Sequence, residues 1–352
     1  GTAGHVNPLL ALADQIRATE PESTVWALGT AEGLESRLVP ERGYQLLTVP
    51  RLPFPRRLNA AALKFPLRYR ASVNQVVGYL RQHKIDVVVG FGGYASAPAY
   101  TAARKLGIPV VVHEANALPG MANKMAAKRA AAVGVAFRST PLAGATFVGM
   151  PLRREIETLA AGITTADRFA ARAHFGLDES TTTLLVTGGS LGAKRINETI
   201  EAARPALKNA GIQVLHIVGD RSEYEAEQTP DFVRIKYCDR MDLAIAAADF
   251  AVCRAGAATV SEFTAIGLPA AYVPYPVGNG EQRFNVADVV DAGGGLMCLD
   301  ADFTPDFVNS TLIPLISDSR GRNLIATAAK AVGVADGSKR LLDLVQSVLA
   351  KR

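Results

Sequence analysis

Asp249-Phe-Ala-Val-Cys253-Arg-Ala-Gly256-Ala-Ala-Thr259-Val-Ser-Glu262, continuing through Gly267-Leu268-Pro269 to Gln282 and Asn285, is the stretch on which the reading of the whole chain turns. Phe250 to Cys253 is a short apolar run of the kind that forms a buried parallel strand. Ala255-Gly256-Ala257 is a small-residue turn, and the pattern from Thr259 to Gly267 predicts a helix. A strand, a tight turn and a helix N-terminus aim backbone N–H groups and the positive end of a helix dipole at one place, which favours an anion. Glu262 is expected in the first turn of that helix, where its carboxylate could accept both hydroxyls of a ribose. Thr259-x-x-Glu262 also fits a capping box, in which the two side chains only satisfy backbone donors. The stretch alone leaves both readings open.

The chain around it has 352 residues, 49% of them hydrophobic and 20% charged, which is enough for two domains with separate cores. Three scattered cysteines, Cys238, Cys253 and Cys298, supply neither a disulfide framework nor a zinc cluster and point to a reducing compartment. No apolar run reaches the roughly 18 residues needed to span a bilayer, and no signal peptide opens the chain. The first residues are Gly1-Thr2-Ala3-Gly4-His5. A glycine loop of this kind ordinarily follows a strand, so a strand is expected ahead of Gly1 in the natural protein. The net charge of +5 is unevenly placed. Between Glu41 and Asp86 there is no acidic residue, whereas Arg42, Arg51, Arg56, Arg57, Lys64, Arg68, Arg70, Arg81 and Lys84 are basic, an excess larger than that of the whole chain.

Short apolar runs alternate with helical spacing from one end to the other. Helices are expected over 8–19, 31–42, about 71–83 and 96–106, and strands over 24–28, 44–49, 85–89 and 110–113. After Pro151 the same grammar restarts: a strand at 184–187 runs into Gly188-Gly189-Ser190-Leu191-Gly192-Ala193, a helix follows to about Ala210, and strands are expected at 213–218, 249–253 and 270–273. This is the pattern of parallel α/β layers in two Rossmann-like domains, with a linker near Gly149 to Arg153. A last helix, about 338–350, is expected to pack back on the first domain. The dinucleotide fingerprint and the Walker A spacing are both absent, which weakens dehydrogenase and ATPase readings.

Three glycine-rich turns, Gly1 to His5, Gly90 to Gly93 and Gly188 to Gly192, fall where strands meet helices, the place where open α/β sheets bind ligands. With Ser190 as an added donor they favour a phosphorylated ligand. His5, beside the first turn, titrates near neutrality and is a candidate base, though a histidine so placed is more often a capping or hydrogen-bonding residue. His113-Glu114 closes a strand ahead of Asn116. The alternative there is a turn built on Asn116 with Glu114 in solvent. Arg51-Leu-Pro-Phe54-Pro-Arg56-Arg57, followed by Leu63, Phe65, Leu67 and Tyr69 among Lys64, Arg68 and Arg70, mixes bulky apolar groups with cations. Such a surface suits an anionic membrane, the alternative being a solvated basic face. No nucleic-acid module accompanies the charge, so no nucleic-acid partner is expected.

Taken together, the motifs resemble the MurG family of bacterial glycosyltransferases. The residues that carry the likeness are Gly1-Thr2-Ala3-Gly4-His5-Val6-Asn7-Pro8, Gly92-Gly93-Tyr94, His113-Glu114-x-Asn116, Gly149-x-Pro151-x-Arg153, Gly188-Gly189-Ser190-x-Gly192-Ala193, Cys253-Arg254-x-Gly256-Ala257-x-Thr259-Val260-Ser261-Glu262 and Gln282-x-x-Asn285, in the family's order along nearly the whole chain. The resemblance implies an α/β GT-B fold, two Rossmann-like domains with parallel sheets facing across a cleft. Residues 1–152, with the helix 335–352, would take the lipid acceptor and the membrane, and residues 153–334 would hold UDP-GlcNAc.

Carried over residue by residue, the resemblance implies that the backbone at Cys238 reads the uracil and Glu262 holds the ribose. Ser190 and its loop would hold the diphosphate, with Thr2, Ala3 and Gly4 closing over it. Ala257, Ala258, Gln282, Asn285 and Asn116 would lie near the sugar, with Thr259, Val260 and Ser261 completing that helix start and Arg153 near the cleft. The implied reaction is an inverting transfer of GlcNAc from UDP-GlcNAc to the 4-hydroxyl of undecaprenyl-diphosphate-linked muramyl-pentapeptide. It needs no tightly bound cofactor, with a divalent cation at most stimulatory, and it places the enzyme peripherally on the cytoplasmic face of the membrane through residues 51–70. His5 is the first candidate base and Glu114 the second. Cys238 departs from the larger aliphatic residue frequent in the family. A two-domain UDP-sugar transferase acting on diacylglycerol or a small molecule, a UDP-GlcNAc epimerase and a non-catalytic nucleotide-sugar-binding subunit are the alternatives.

Overall fold

The apolar runs become strands and the segments between them helices in a computed structural model that describes residues 3–55, 60–189, 193–277 and 279–351. In chain order the elements of the first part are α1 (Ala3–Thr19), β1 (Trp26–Gly29), α2 (Glu35–Glu41), β2 (Gln45–Thr48), α3 (Ala60–Gln82), β3 (Val88–Gly90), α4 (Ser96–Lys105), β4 (Val110–Glu114), α5 (Met121–Ala127), β5 (Ala132–Val135) and β6 (Thr146–Phe147). There follow α6 (Arg154–Ala161), α7 (Thr165–Phe175), β7 (Thr182–Thr187), α8 (Lys194–Asn209), β8 (Ile212–Ile217), β9 (Glu227–Thr229), β10 (Phe232–Ile235), α9 (Met241–Ala247), β11 (Phe250–Cys253), α10 (Ala257–Ile266), β12 (Ala270–Tyr272), α11 (Glu281–Asn285), α12 (Ala287–Asp291) and β13 (Leu296–Met297). The chain closes with α13 (Pro305–Phe307), a π-helical turn at Val308–Leu312, α14 (Ile313–Ser317), α15 (Ser319–Val332) and α16 (Gly337–Leu349). Two compact units result: Gly1–Arg153 with Asp336–Arg352, and Arg154–Ala335.

The second unit is organised by one sheet in the order β13-β12-β11-β7-β8-β10-β9, parallel except for the β9 edge. Strands buried on both faces read as continuous apolar runs, and Leu184 to Val186 and Phe250 to Cys253 are such runs. Ile196, Ile200, Ala203 and Leu207, spaced four, three and four residues apart, give α8 one apolar stripe that packs onto Leu184, Val186 and Val214, each buried large aliphatic contributing roughly 1.5–3 kcal/mol. From β7 the chain moves outward through β8 to β10, then returns to β11 on the other side of β7. That reversal is a topological switch point, and its crevice opens at the carboxyl ends of β7 and β11.

In the first unit β1 pairs with β2, and β3-β4-β5-β6 form a parallel sheet. Alternate residues of β4 face opposite ways. Val110 and Val112 pack with Val76 and Leu80 of α3 and Ala102 and Ala103 of α4, while Val111 packs with Leu12 of α1 and Leu341 and Val345 of α16. A cavity of about 560 Å³ lies within this unit, lined by Leu28 and Gly29 of β1, Val88 and Val89 of β3, and Leu12, Leu80 and Val345. The edges of β1 and β3 that do not face β2 and β4 have no strand partner among the described residues.

Three expectations are corrected. The helix after β11 begins at Ala257 with Gly256 as its N-cap and no side-chain cap, so Thr259 stands inside the helix. The Thr259–Glu262 capping box does not form there, and Glu262 lies in the second turn. A true capping box is found at Thr164, whose Oγ1 accepts from Asp167 N at 3.1 Å while Asp167 Oδ2 accepts from Thr164 N at 2.9 Å. Gly4 and His5, read as part of a turn, are in the first turn of α1. The helix expected from about residue 71 starts at Ala60 and runs through Pro66, accepting the loss of one backbone hydrogen bond in an exposed segment.

Candidate functional site

The carboxyl ends of β7 and β11 are neighbours, with Thr187 in register with Cys253. The glycine loop from Gly188 and the turn Arg254-Ala255-Gly256 therefore leave the sheet side by side at the switch point. Gly189 has φ +84 and its N–H donates to Thr187 Oγ1 at 3.3 Å, while Ser190, Leu191 and Gly192 lie outside the described residues. On the β11 side the first intrahelical bond of α10 runs from Val260 N to Gly256 O at 3.0 Å. Ala257, Ala258 and Thr259 are thus the residues whose N–H groups have no acceptor within the helix, and they form the positive end of its dipole. Val260 and Ser261 are buried against the core, and the Val260 N–H is already taken up within the helix. Glu262 is half-buried one turn further on.

Gln282 and Asn285 close this side. Gln282 Oε1 accepts from Ala255 N at 3.1 Å and Tyr275 N at 2.9 Å. Two N–H donors demand an oxygen, so the amide orientation is fixed and its NH₂ points the other way. Asn285, buried, donates through Nδ2 to Ala255 O at 3.2 Å. Arg254 Nη1 donates to Val273 O at 3.1 Å and Pro274 O at 3.4 Å and pairs with Asp300 Oδ1 at 2.5 Å. Cys238 is buried in the loop between β10 and α9, where burial pushes its thiol up to about 11. It is an inert thiol at neutral pH, which leaves the neighbouring backbone as its usable part.

In the first unit His5 and Glu114 converge on Gly92 and Asn123. Gly92 has φ +88, and a Cβ there would stand 3.3 Å from both His5 Nε2 and Asn123 Nδ2. Gly90 is held to glycine by the Tyr100 ring, which a Cβ would meet at 2.1 Å. Glu114 is 3% exposed, which rules out the solvated alternative. Its Oε1 accepts from Asn116 N at 2.9 Å and its Oε2 from Gly120 N and Asn123 Nδ2, each at 3.0 Å. One carboxylate thus gathers the whole 114–123 loop. Burial raises its pKa and those hydrogen bonds oppose the rise. Asn123 also donates to His113 O at 3.1 Å and accepts from Tyr100 at 2.7 Å. His113 donates Nε2–H to Gly149 O at 2.9 Å, and burial lowers it to about 4. Burial lowers His5 as well, with the Glu35 carboxylate opposing. The shift favours the neutral imidazole, the form a base requires.

Of the remaining candidates, Arg153 is half-buried at the end of the first unit. Thr2 and the Ala3 side chain lie outside the described residues, as do Arg56 and Arg57. On α3, Leu63 and Leu67 are 82% and 75% exposed and Phe54 is 66% exposed, with Lys64, Arg68 and Arg70 also exposed beside them. Among the described residues no helix is long and apolar enough to cross a membrane.

Asn123 and Tyr100, and the tie between Arg254 and Asp300, are working parts of these networks that sequence reasoning missed. Their partners lie 9 to 46 positions away, and no local spacing signals such pairs.

Residues 1–135 match the family profile described as the glycosyltransferase family 28 N-terminal domain, and residues 183–341 its C-terminal domain. A protein of Leifsonia xyli subsp. xyli described as UDP-N-acetylglucosamine--N-acetylmuramyl-(pentapeptide) pyrophosphoryl-undecaprenol N-acetylglucosamine transferase is 57% identical, over 99% of this chain and 97% of its own. One of Clavibacter sepedonicus with the same description is 56% identical, over 100% and 95%. The crystal structure of MurG from Acinetobacter baumannii superposes with a TM-score of 0.77 at 28% identity, over 98% of this chain and 96% of that one. The two α/β units have the composition of a GT-B fold. The chain belongs to glycosyltransferase family 28 and, within it, to the MurG group.

Proposed function

We propose that the protein transfers N-acetylglucosamine from UDP-N-acetylglucosamine to the 4-hydroxyl of the muramyl residue of undecaprenyl-diphosphate-linked muramyl-pentapeptide, the step from lipid I to lipid II of peptidoglycan synthesis. The observation that carries this reading is the unbroken likeness to transferases of that description over 99% of the chain.

The chemistry divides between the two units. In the second, the loop amides after β7 and the N–H groups that open α10 take the diphosphate, Glu262 the ribose hydroxyls and the backbone at Cys238 the uracil. Gln282, through the NH₂ turned away from Ala255, and Asn285 attend the sugar. In the first unit His5 Nε2 takes the proton of the acceptor hydroxyl, and Glu114 positions Asn116 by holding the loop that carries it. The hydroxyl oxygen attacks the anomeric carbon as the bond from that carbon to the diphosphate oxygen breaks. UDP leaves and configuration inverts. Oriented amides and helix dipoles stabilise the departing charge, so the mechanism calls for no tightly held metal, and a divalent cation would be at most stimulatory.

Phe54, Leu63 and Leu67, set among Lys64, Arg68 and Arg70, support peripheral attachment to the anionic cytoplasmic face of the membrane, each near-surface cation adding about 1 kcal/mol. The transfer assay decides the function. Lipid I and diacylglycerol are offered separately with UDP-GlcNAc and UDP release is followed. Release with lipid I alone is expected, and release with diacylglycerol alone would sink the reading.

A further inference from the structure

Arg254 and Asp300 form an ion pair at the carboxyl end of the second unit's sheet, with side chains only 11% and 18% exposed. Placing two charges so far out of water is costly, and replacement by apolar groups is often neutral or stabilising. Fold stability is a weak reason for such a pair, so its geometry is worth following outward. Arg254 Nη1 reaches past Asp300 to Val273 O and Pro274 O, and its guanidinium stands over the Tyr275 ring, 5.5 Å from the centroid. The same short segment is gripped one residue later, where Tyr275 N donates to Gln282 Oε1. Gln282 in turn holds Ala255 N, the residue after Arg254. The contacts close into a ring: Asp300, Arg254, the carbonyls of 273 and 274, the N–H of 275, Gln282, and back to Ala255.

We propose that Arg254 and Asp300 are positioning residues for the donor sugar. By fixing the segment 273–275 they fix where Gln282 presents its NH₂. This rests on the donor reading of the second unit and extends it to two residues to which that reading gives no ligand contact. Arg suits the task because its planar guanidinium lies over the Tyr275 ring while Nη1 alone reaches the carboxylate and the two carbonyls, and a lysine ammonium on a flexible stem has no such plane to stack. The uridine and ribose contacts, at the Cys238 backbone and Glu262, lie outside the ring. The pair therefore bears on recognition of the sugar and leaves the uracil and ribose contacts in place.

The test uses the full chain carrying Asp300→Asn, Asp300→Glu and Arg254→Lys, with UDP and UDP-GlcNAc binding measured by calorimetry alongside steady-state transfer. Asp300→Asn and Arg254→Lys are expected to raise KM for UDP-GlcNAc about tenfold, the scale of a misplaced contact, while the Kd for UDP moves less than about twofold. Asp300→Glu, keeping the charge, is expected to recover most of the loss. An unchanged KM in all three, or equal weakening of UDP and UDP-GlcNAc, overturns the proposal while leaving the donor reading standing. An unaltered protein that binds neither ligand overturns the donor reading itself, and the proposal with it.

Discussion

Asn123 Nδ2 donates to Glu114 Oε2 across 3.0 Å while Asn123 Oδ1 accepts from the Tyr100 hydroxyl at 2.7 Å. A single side-chain amide thus joins α4, α5 and the end of β4, directly beside Gly92 and His5. Cutting it takes the acceptor from the buried Tyr100 hydroxyl and one of two donors from Glu114 Oε2, leaving Gly120 N as the other. Asn123→Ala is expected to lower stability by about 2 kcal/mol, since an unsatisfied buried group costs about 1–3 kcal/mol, and to reduce transfer by loosening the 114–123 loop. Denaturant unfolding and acceptor kinetics check this. A loss under about 0.5 kcal/mol with unaltered kinetics would show the network to be incidental.

His5 should be visible in the pH profile. Because burial lowers its pKa, the acidic limb of kcat/KM is expected below the ordinary imidazole value of about 6.5. His5→Gln should remove that limb and slow transfer by roughly a hundredfold or more, the usual contribution of a general base. A His5→Gln enzyme with wild-type rate and profile would return the role of base to Glu114.

Stability should fall in mild acid. The folded pKa of His113 is depressed from 6.5 to about 4. Its contribution is therefore whole above about pH 6.5 and is lost progressively as pH falls through 4, because the unfolded chain takes up the proton first. His216, buried beside Arg234 and lowered to about 3, acts in the same direction over a window that reaches further down. About 2 kcal/mol per histidine is expected to disappear between pH 7 and pH 5. Urea unfolding at the two pH values checks this, with His113→Gln expected to flatten the slope. An identical slope in that variant would place the acid sensitivity elsewhere.

Asp249 anchors the sheet of the second unit. It pairs with Arg172 at 2.7 Å and Arg168 at 3.3 Å and accepts from Thr183 N at 2.8 Å. The Arg172 side chain is 4% exposed. Asp249→Ala leaves that cation buried without its carboxylate, which costs about 3–5 kcal/mol. A change below about 1 kcal/mol by calorimetric unfolding would mean that the Ala247 and Glu179 carbonyls, which also accept from Arg172, suffice alone.

How much of this could be read in advance depended on the range of the interaction. The strands came from runs such as Leu184 to Thr187 and Phe250 to Cys253, where burial on both faces imposes apolar residues one after another. The glycine turns were legible because they sit at the ends of those runs. The start of α10 was misplaced by two residues because Ala257 and Ala258 carry no cap signal and Thr259 carries a misleading one. Pro66 hid the first turns of α3 in the same way. The environment of Glu114 was not legible at all, since Gly120 N and Asn123 Nδ2 reach it only once α5 has docked. Nor was the tie between Arg254 and Asp300, whose 46-residue separation is closed by β12 and β13 pairing beside β11.

The last helix has a consequence for dissecting the protein. Leu341 and Val345 of α16 share a buried cluster with Val111 of β4 and Leu12 of α1, so residues that follow the second unit in the chain belong to the core of the first. No single cut between the units releases the first one whole. Removing α16 would strip apolar cover from β4 and α1, and a separately expressed first unit would need residues 336–352 rejoined to it.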